Sequence, residues 1–279
     1  MKPPPFHYHD PRSLDDALGL LADKENTKLL AGGQSLMPML NMRFVFPDDV
    51  IDLNRITELA SIGEDDGRIR IGAMTRQSSL ERSELIRNQC PIIIEALRQV
   101  GHLQTRNRGT IGGSLCHLDP SAELPTVAQG LDATIHVQNK RGTRTLTMAD
   151  FPAFFMTPAI EPDEIVTAIE FEPWPQGHGF AFVEFARRHG DFAIVALAAV
   201  IDNDRVTLGV GGVADRPVSR EFARQDDPSE ALNALAWSLG AEDDAHATAA
   251  YRRQLIRELG RELIAGGPSD EEIAHARQG

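Results

Sequence analysis

Cysteine is almost absent from the sequence: Cys90 and Cys116 are the only 2 in 279 residues. They could form one disulfide at most, and so low a count suits a reducing compartment. They also cannot hold an iron–sulfur cluster, which takes about four protein ligands. Basic residues are scarce too, 28 lysines and arginines against 41 acids. The net charge of −13 repels nucleic acid and anionic lipid, so any phosphate bound here must be held locally, by backbone. No long apolar run is present. The longest, Phe192 to Ile201, is about half the ~20 residues that a membrane-spanning helix needs. Residues Met1 to Asp10 carry three prolines and an acid where a secretory leader would be apolar, so a cytoplasmic protein is expected.

Several nucleotide and hydrolase signatures are missing as well. There is no Gly-Lys-Ser/Thr of a phosphate-binding loop and no Gly-x-Gly-x-x-Gly of a Rossmann fold. No Gly-x-Ser-x-Gly elbow supports a serine hydrolase. Internal repeats and low-complexity tracts are also lacking. What remains is ordinary globular composition, 42% hydrophobic and 25% charged, in a 30.6 kDa chain long enough for about two domains.

The element pattern mixes helix and strand. Ser13 and Asp16 make a capping box, and Leu14, Ala17, Leu18 and Leu21 follow on one helical face. Lys28–Leu30 and Val50–Leu53 read as short strands on either side of an amphipathic segment. The acidic turn Glu64–Gly67 marks a candidate subdomain boundary before a strand through Ile69 and Ile71. Helical patterns cover Ser79–Arg87 and Pro91–Val100, and Gln104–Gly109 is a polar stretch. Ile135 and Val137, the turn at Lys140–Gly142 and Thr143–Thr147 form a hairpin, with a further strand at Ile165–Phe171. A second boundary falls at Glu172–Gly177, where two prolines and a glycine break regular structure. Three β-rich runs follow, Phe180–Phe185, Phe192–Ile201 and Arg205–Val210, in the spacing of an antiparallel sheet. From Asp226 onward the pattern is helical and acidic. That acidity reads as a solvated helical face, with a docking surface as the alternative.

Two glycine motifs carry the strongest chemical signal. Ala31-Gly32-Gly33-Gln34-Ser35 and Thr110-Ile111-Gly112-Gly113-Ser114 each end in a hydroxyl residue, and both Gly-Gly pairs follow a short apolar run. Adjacent glycines reach φ > 0 freely and lack Cβ, so successive N–H groups can converge on an anion. Two such loops facing each other would cradle a diphosphate. A single Gly-Gly is usually no more than a turn, so it is the recurrence that counts. Cys116-His117-x-Asp119 offers three metal-ligand types in four residues, but it lacks a fourth partner, and no metal is assigned.

These two motifs, together with Arg106-Asn107-Arg108-Gly109 before the second and Arg187-Arg188-His189-Gly190-Asp191-Phe192-Ala193 later, resemble a known family. The chain is similar to the medium, FAD-binding subunit of molybdenum hydroxylases, the group of carbon monoxide and xanthine dehydrogenases. Gly209-Val210-Gly211-Gly212-Val213 and Pro217 extend the likeness. The resemblance implies an α+β fold in which an FAD domain of the vanillyl-alcohol-oxidase type spans residues 1–175, in subdomains of about 1–60 and 61–175. A smaller α+β domain with an antiparallel sheet then covers 176–279. It implies that Ala31–Ser35 and Thr110–Ser114 hold the pyrophosphate, that His117, Asp119 and Glu123 contact the adenosine side, and that Arg188 and Asp191 lie near the flavin ring. Many relatives have Asp at the Glu123 position and Asn or Asp at the Ser114 position. Some flavin oxidases bind FAD covalently through a histidine where this chain has Gln34, so non-covalent FAD is expected.

Also implied is an electron-transfer subunit, taking electrons from a small subunit with 2Fe–2S clusters that are fed in turn by a large molybdenum-pterin subunit. An external acceptor would then be reduced, and the assembly would be a dimer of heterotrimers. No general acid or base is identifiable in the chain. The rival readings are a self-sufficient flavin-dependent reductase or oxidase and a non-catalytic nucleotide-binding assembly module.

Overall fold

In the computed structural model, residues 2–174, 178–224 and 226–266 are described. Of the described residues, 35% are helical and 28% lie in strands. It begins with β1 (His7–His9), α1 (Leu14–Asp23), β2 (Thr27–Leu30), α2 (Leu36–Asn41) and β3 (Asp49–Asp52). The three strands form a parallel sheet in the order β1-β3-β2. Ser13 caps α1 as its sequence predicts, its hydroxyl accepting from the Asp16 N–H at 3.1 Å. Ala17, Leu18 and Leu21 then bury against Ile51, Leu53 and Ile56 in a small core of their own.

Two 3-10 turns over residues 53–59 lead to the next unit. Here β4 (Ile62–Asp65) and β5 (Arg68–Gly72) pair as a hairpin. Its tip is Asp66-Gly67, with φ of 47° and 77°, the left-handed pair that a tight hairpin turn demands. The acidic turn thus lies inside one sheet, and the passage between sheets comes earlier, in the 3-10 turns. Six helices follow: α3 (Gln77–Arg82), α4 (Glu84–Gln89), α5 (Ile92–Gln99), α6 (Leu103–Arg108), α7 (Ile111–His117) and α8 (Glu123–Gly130). The single helix expected over Ser79–Arg87 is broken at Ser83, which takes extended backbone and caps α4 through the Ile86 N–H. The chain then returns to the same sheet through β6 (Thr134–Asn139) and β7 (Gly142–Thr147), the expected hairpin. A small hairpin of β8 (Pro152–Phe154) and β9 (Thr157–Pro158) precedes β10 (Ile165–Phe171). The antiparallel sheet reads β4-β5-β10-β6-β7, and Ile69, Ile71, Ile135, Val137 and Ile169 join the core beneath α5, α7 and α8.

Pro175-Gln176-Gly177, the end of the predicted second boundary, lies outside the described residues. Beyond it, β11 (Gly179–Phe185), β12 (Val195–Ile201), β13 (Arg205–Gly211) and β14 (Val218–Ala223) form a sequential antiparallel sheet. β12 starts at Val195 rather than at Phe192, and β14 adds a strand that its exposed, mixed-charge sequence concealed. Side chains on β11 alternate. Phe180 and Phe182 join the core of the preceding unit, whereas Ala181 and Val183 face α9 (Ser229–Ser238) and α10 (Ala249–Gly266). The end of the acidic C-terminal stretch, residues 267–279, is outside the described residues.

Helix α8 is therefore wedged between two sheets, and β13 meets it backbone to backbone. A Cβ on Gly209 would lie 2.8 Å from the Thr126 carbonyl oxygen, and one on Gly211 would collide with the Thr126 hydroxyl. The Gly209–Val213 motif is thus a packing device that lets β13 touch the helix. Gly211→Ala should cost about 1–3 kcal/mol, because well-packed contacts resist an added methyl. Differential scanning calorimetry should show a Tm lower by roughly 5 °C. In the Gly211→Ala/Thr126→Ala double variant the two losses should add to less than their sum, and simple additivity would show that this contact is not the cause.

Candidate functional site

The first glycine motif is the turn between β2 and α2. Only Gly33 has a left-handed backbone, with φ of 74°. Gly32 serves by close approach instead: a Cβ there would run into the Arg108 carbonyl and lie 2.8 Å from the Cα of Gly109. Among the described residues, no carbonyl or side chain takes up the N–H groups of Gly33, Gln34 and Ser35. Gly33 and Ser35 are half-buried and Gln34 is exposed, so these three N–H groups at the entry to α2 are successive donors open to a bound anion. Gln34 is exposed and its amide donates to the Gly32 carbonyl at 3.3 Å. Ser35 makes no side-chain capping bond to α2.

The second motif departs from its sequence reading. It is not a loop but the first turn of α7, and neither Gly112 nor Gly113 has a positive φ. Thr110 caps the helix, accepting from the Gly113 N–H at 3.0 Å. The N–H groups of Ile111 and Gly112 go to the Thr75 and Ala73 carbonyls, and that of Ser114 to the Thr110 carbonyl. Its donors are thus consumed internally. The glycines are there for room: a Cβ on Gly112 would lie 2.5 Å from that of Ala73, and one on Gly113 would sit 2.7 Å from the Thr110 hydroxyl and 3.3 Å from the Ala31 Cβ. The latter contact is with the first motif. The two segments face each other, one presenting free donors and the other a helix start smooth enough to admit a ligand.

A polar clamp that sequence reading missed holds them together. Asn54, in the 3-10 turn after β3, donates to the Ala31 carbonyl at 2.8 Å. Its amide oxygen accepts from Arg76, whose guanidinium also donates to the Arg108 carbonyl. One side-chain pair therefore grips the backbone of the first motif and of the segment just ahead of the second. Burial and the nearby Arg108 cation hold the Arg76 guanidinium below its usual value, with Asp52 opposing. In a chain of net charge −13, two neighbouring guanidiniums beside free N–H groups form a local positive site. Each bond joins residues 22 to 32 positions apart, a separation at which no local sequence signal operates.

Downstream, His117 ends α7, about 10 Å along the helix from its start. Burial lowers the His117 pKa, and the Asp119 charge opposes this. Asp119 accepts from the Ser121 N–H at 2.9 Å, shaping the turn into α8. Glu123, first residue of α8, is buried, and burial pushes its carboxyl up to about 7. Glu184 on β11 is pushed up to about 8, by burial and then by the Glu123 charge. Arg188 and Asp191 are both exposed in the β11–β12 connection, where the Asp191 N–H bonds the Arg188 carbonyl at 3.1 Å. That connection is anchored by Gly190, with φ of 83°, against the Gly101 carbonyl between α5 and α6. Phe192 beside it is 70% exposed. Both cysteines are free thiols, and among the described residues no group of His, Cys, Asp and Glu is arranged to hold a metal ion.

These residues fit an anionic dinucleotide: a cradle of unpaired N–H groups, glycines whose missing Cβ atoms leave space, and local cations. Comparison with known proteins agrees. Residues 4–174 match the family model described as the FAD binding domain in molybdopterin dehydrogenase. The 6-hydroxypseudooxynicotine dehydrogenase complex subunit alpha of Paenarthrobacter nicotinovorans is 38% identical, over 99% of this chain and 100% of that one. The nicotine 6-hydroxylase medium subunit of the same organism is 35% identical, over 95% and 98%. A chain of the carbon monoxide dehydrogenase from Hydrogenophaga pseudoflava superposes with a TM-score of 0.86 at 29% identity, covering 94% of this chain and 96% of that one. No helix among the described residues is long and apolar enough to cross a membrane. The chain belongs to the molybdopterin dehydrogenase FAD-binding family and is the FAD-binding subunit of a molybdenum hydroxylase complex, an oxidoreductase.

Proposed function

We propose that this chain is the electron-transfer subunit of its complex, set between a small iron–sulfur subunit and an external acceptor, with a large molybdenum-pterin subunit doing the substrate chemistry. We place the assembly in the cytoplasm as a dimer of heterotrimers. The observation that carries the reading is the apposition of Gly33–Ser35, with their unpaired N–H groups, to the glycine start of α7. When bound, FAD supplies two-electron redox chemistry that can be coupled to one-electron centres. Everything else falls to the protein, which binds, orients and insulates.

In this reading Gly33, Gln34 and Ser35 donate to the pyrophosphate, and Ala31, Gly32, Thr110, Ile111, Gly112, Gly113 and Ser114 give it shape and space. Asn54 and Arg76 keep the two walls at a fixed separation. His117, Asp119 and Glu123 serve the adenosine side, and Arg188 and Asp191 lie on the flavin side. Residues 1–60 and 61–175 form the two halves of the FAD domain, and 176–279 a C-terminal domain that braces α8. Gln34 is no nucleophile, and its amide is already turned back on the Gly32 carbonyl, so the cofactor is held without a covalent link.

The purified chain should be yellow, and precipitation should release all its flavin into the supernatant as FAD. Flavin remaining on the denatured polypeptide would refute non-covalent binding. Asn54→Ala should weaken FAD binding about tenfold with the fold retained by circular dichroism, since loss of about 1.4 kcal/mol of preorganisation is a factor of 10. Unchanged affinity, measured by quenching of flavin fluorescence, would show that the clamp does not shape the site.

The chain alone should oxidise no heterocycle, aldehyde or carbon monoxide, whereas the purified complex should reduce an artificial dye with one of them. Comparable substrate turnover by the isolated chain would instead establish a self-sufficient flavoenzyme.

A further inference from the structure

The Asn54 amide joins the Ala31 carbonyl to Arg76, and its own orientation is set from behind by Asp52. Asp52 is the last residue of β3, half-buried, and stands opposite Leu30 in the parallel register, one residue before Ala31. Its Oδ1 accepts from the Asn54 backbone N–H at 2.9 Å and from the Asn54 side-chain amide. Its Oδ2 accepts from the Tyr8 hydroxyl at 2.6 Å. Tyr8 lies on β1, on the other side of β3, and pairs with Val50, two residues before Asp52. These contacts therefore run through all three strands of the sheet, from β1 across β3 to the turn that follows β2.

The donors and acceptors around Asn54 admit one arrangement of its amide. The nitrogen faces two oxygens, those of Ala31 and Asp52, and the oxygen faces the Arg76 guanidinium. Turned over, the group would set oxygen against oxygen on one side and N–H against the N–H groups of a cation on the other. Asp52 is the charged one of the two acceptors and also pins the Asn54 backbone, so a single carboxylate holds that residue at both ends. Among the described residues no cation pairs with Asp52 directly; Arg55, in the same 3-10 turn as Asn54, pairs with Asp10 at 2.9 Å. A direct carboxylate–guanidinium pair would cancel the Arg76 charge and take up its N–H groups. With an amide between them, the guanidinium donates to the Arg108 carbonyl and keeps its charge for an anion.

We propose that Asp52, held by Tyr8, is a positioning residue of the dinucleotide site: it fixes the Asn54 amide with nitrogen toward Ala31 and oxygen toward Arg76, and so sets the spacing of the two walls. This rests on the FAD reading and deepens it. Asp52 acts through Asn54, and among the described residues its carboxylate bonds to neither glycine motif.

The test is FAD affinity of the full chain, read from quenching of flavin fluorescence, in single and double variants whose melting temperatures are recorded alongside. Asp52→Ala should weaken binding about tenfold, and the Asp52→Ala/Asn54→Ala double variant should bind no worse than Asn54→Ala alone, because both changes break one unit. Asp52→Asn keeps an oxygen toward Asn54 and turns an amide N–H toward the Tyr8 oxygen, so it should stay within about twofold of the parent. Tyr8→Phe, a change at an exposed ring, should weaken binding about threefold, and should have no effect in the Asn54→Ala background. Losses at Asp52 and Asn54 that simply add would overturn the assignment, since a residue needed only for stability moves the melting temperature and not the coupling. So would an Asp52→Asn variant as weak as Asp52→Ala. If Asp52→Ala does not fold, unchanged affinity in Tyr8→Phe overturns the assignment by itself. Parent-like affinity in the Tyr8 and Asp52 variants would sink this inference alone, whereas no FAD binding by the unaltered chain would remove the cofactor reading as well.

Discussion

The site depends on main chain meeting main chain without a side chain between. Gly32 belongs to a unit built on a parallel three-stranded sheet, and Arg108–Gly109 to one built on an antiparallel five-stranded sheet that shares no strand with it. A methyl group on Gly32 would push the two apart at the Arg108 carbonyl. Separation there would part the free donors of Gly33–Ser35 from the start of α7, which they face. The same solution recurs where α7 meets the Ala73 backbone at Gly112, and where β13 meets α8 at Gly209 and Gly211. The contacts at Gly32, Gly209 and Gly211 join units with their own cores, whereas the one at Gly112 lies within a single core, so the first three set the relative placement of parts that would otherwise pack only through side chains.

Close approach alone does not fix orientation, and the polar residues around the site supply it. Asn54 and Arg76 bond carbonyls on both walls, which consumes acceptors and leaves the N–H groups of the first motif facing outward. At the second motif the balance is reversed: Thr110, Ala73 and Thr75 take up the helix-start donors, so α7 contributes shape rather than hydrogen bonds. Two glycine motifs of nearly the same composition thus perform different tasks, one electrostatic and one steric.

Much of this was legible in the sequence, and the rest was hidden for definite reasons. Ser13 and Asp16 announce α1, and the alternating Ile69/Ile71 and Ile135/Val137 announce β5 and β6, because those signals are local. The chain between Gln104 and Gly109 reads only as a polar stretch, yet Leu103–Arg108 is α6, a six-residue helix with no buried residue and so no apolar period to detect. The pairs Gly32-Gly33 and Gly112-Gly113 mark the two segments that come together around Ala31, but composition cannot distinguish a glycine needed for φ > 0, as at Gly33, from one needed for room, as at Gly112. Asn54 and Arg76 leave no trace at all, since each acquires its role from partners that only the fold brings near.

Charge explains why these elements need such exact placement. A chain of net charge −13 is a poor host for a pyrophosphate, and general attraction cannot draw one in. On the proposed site, binding comes from groups that act at contact distance, the open N–H donors of Gly33–Ser35, with the partly buried Arg76 guanidinium adding local positive charge. For the same reason, any further negative charge beside the site is costly, and the acids nearest α8 must be managed one by one. Asp119 spends an oxygen on the Ser121 N–H, and Glu123 stands at the first position of α8, where the helix dipole favours its charge. The acidic surface thus makes the site selective by default. Only an anion that satisfies the whole contact set at once gains enough to overcome the field around it, and a dinucleotide, with a diphosphate between two hydrogen-bonding ends, can reach from the first glycine motif along α7 toward α8.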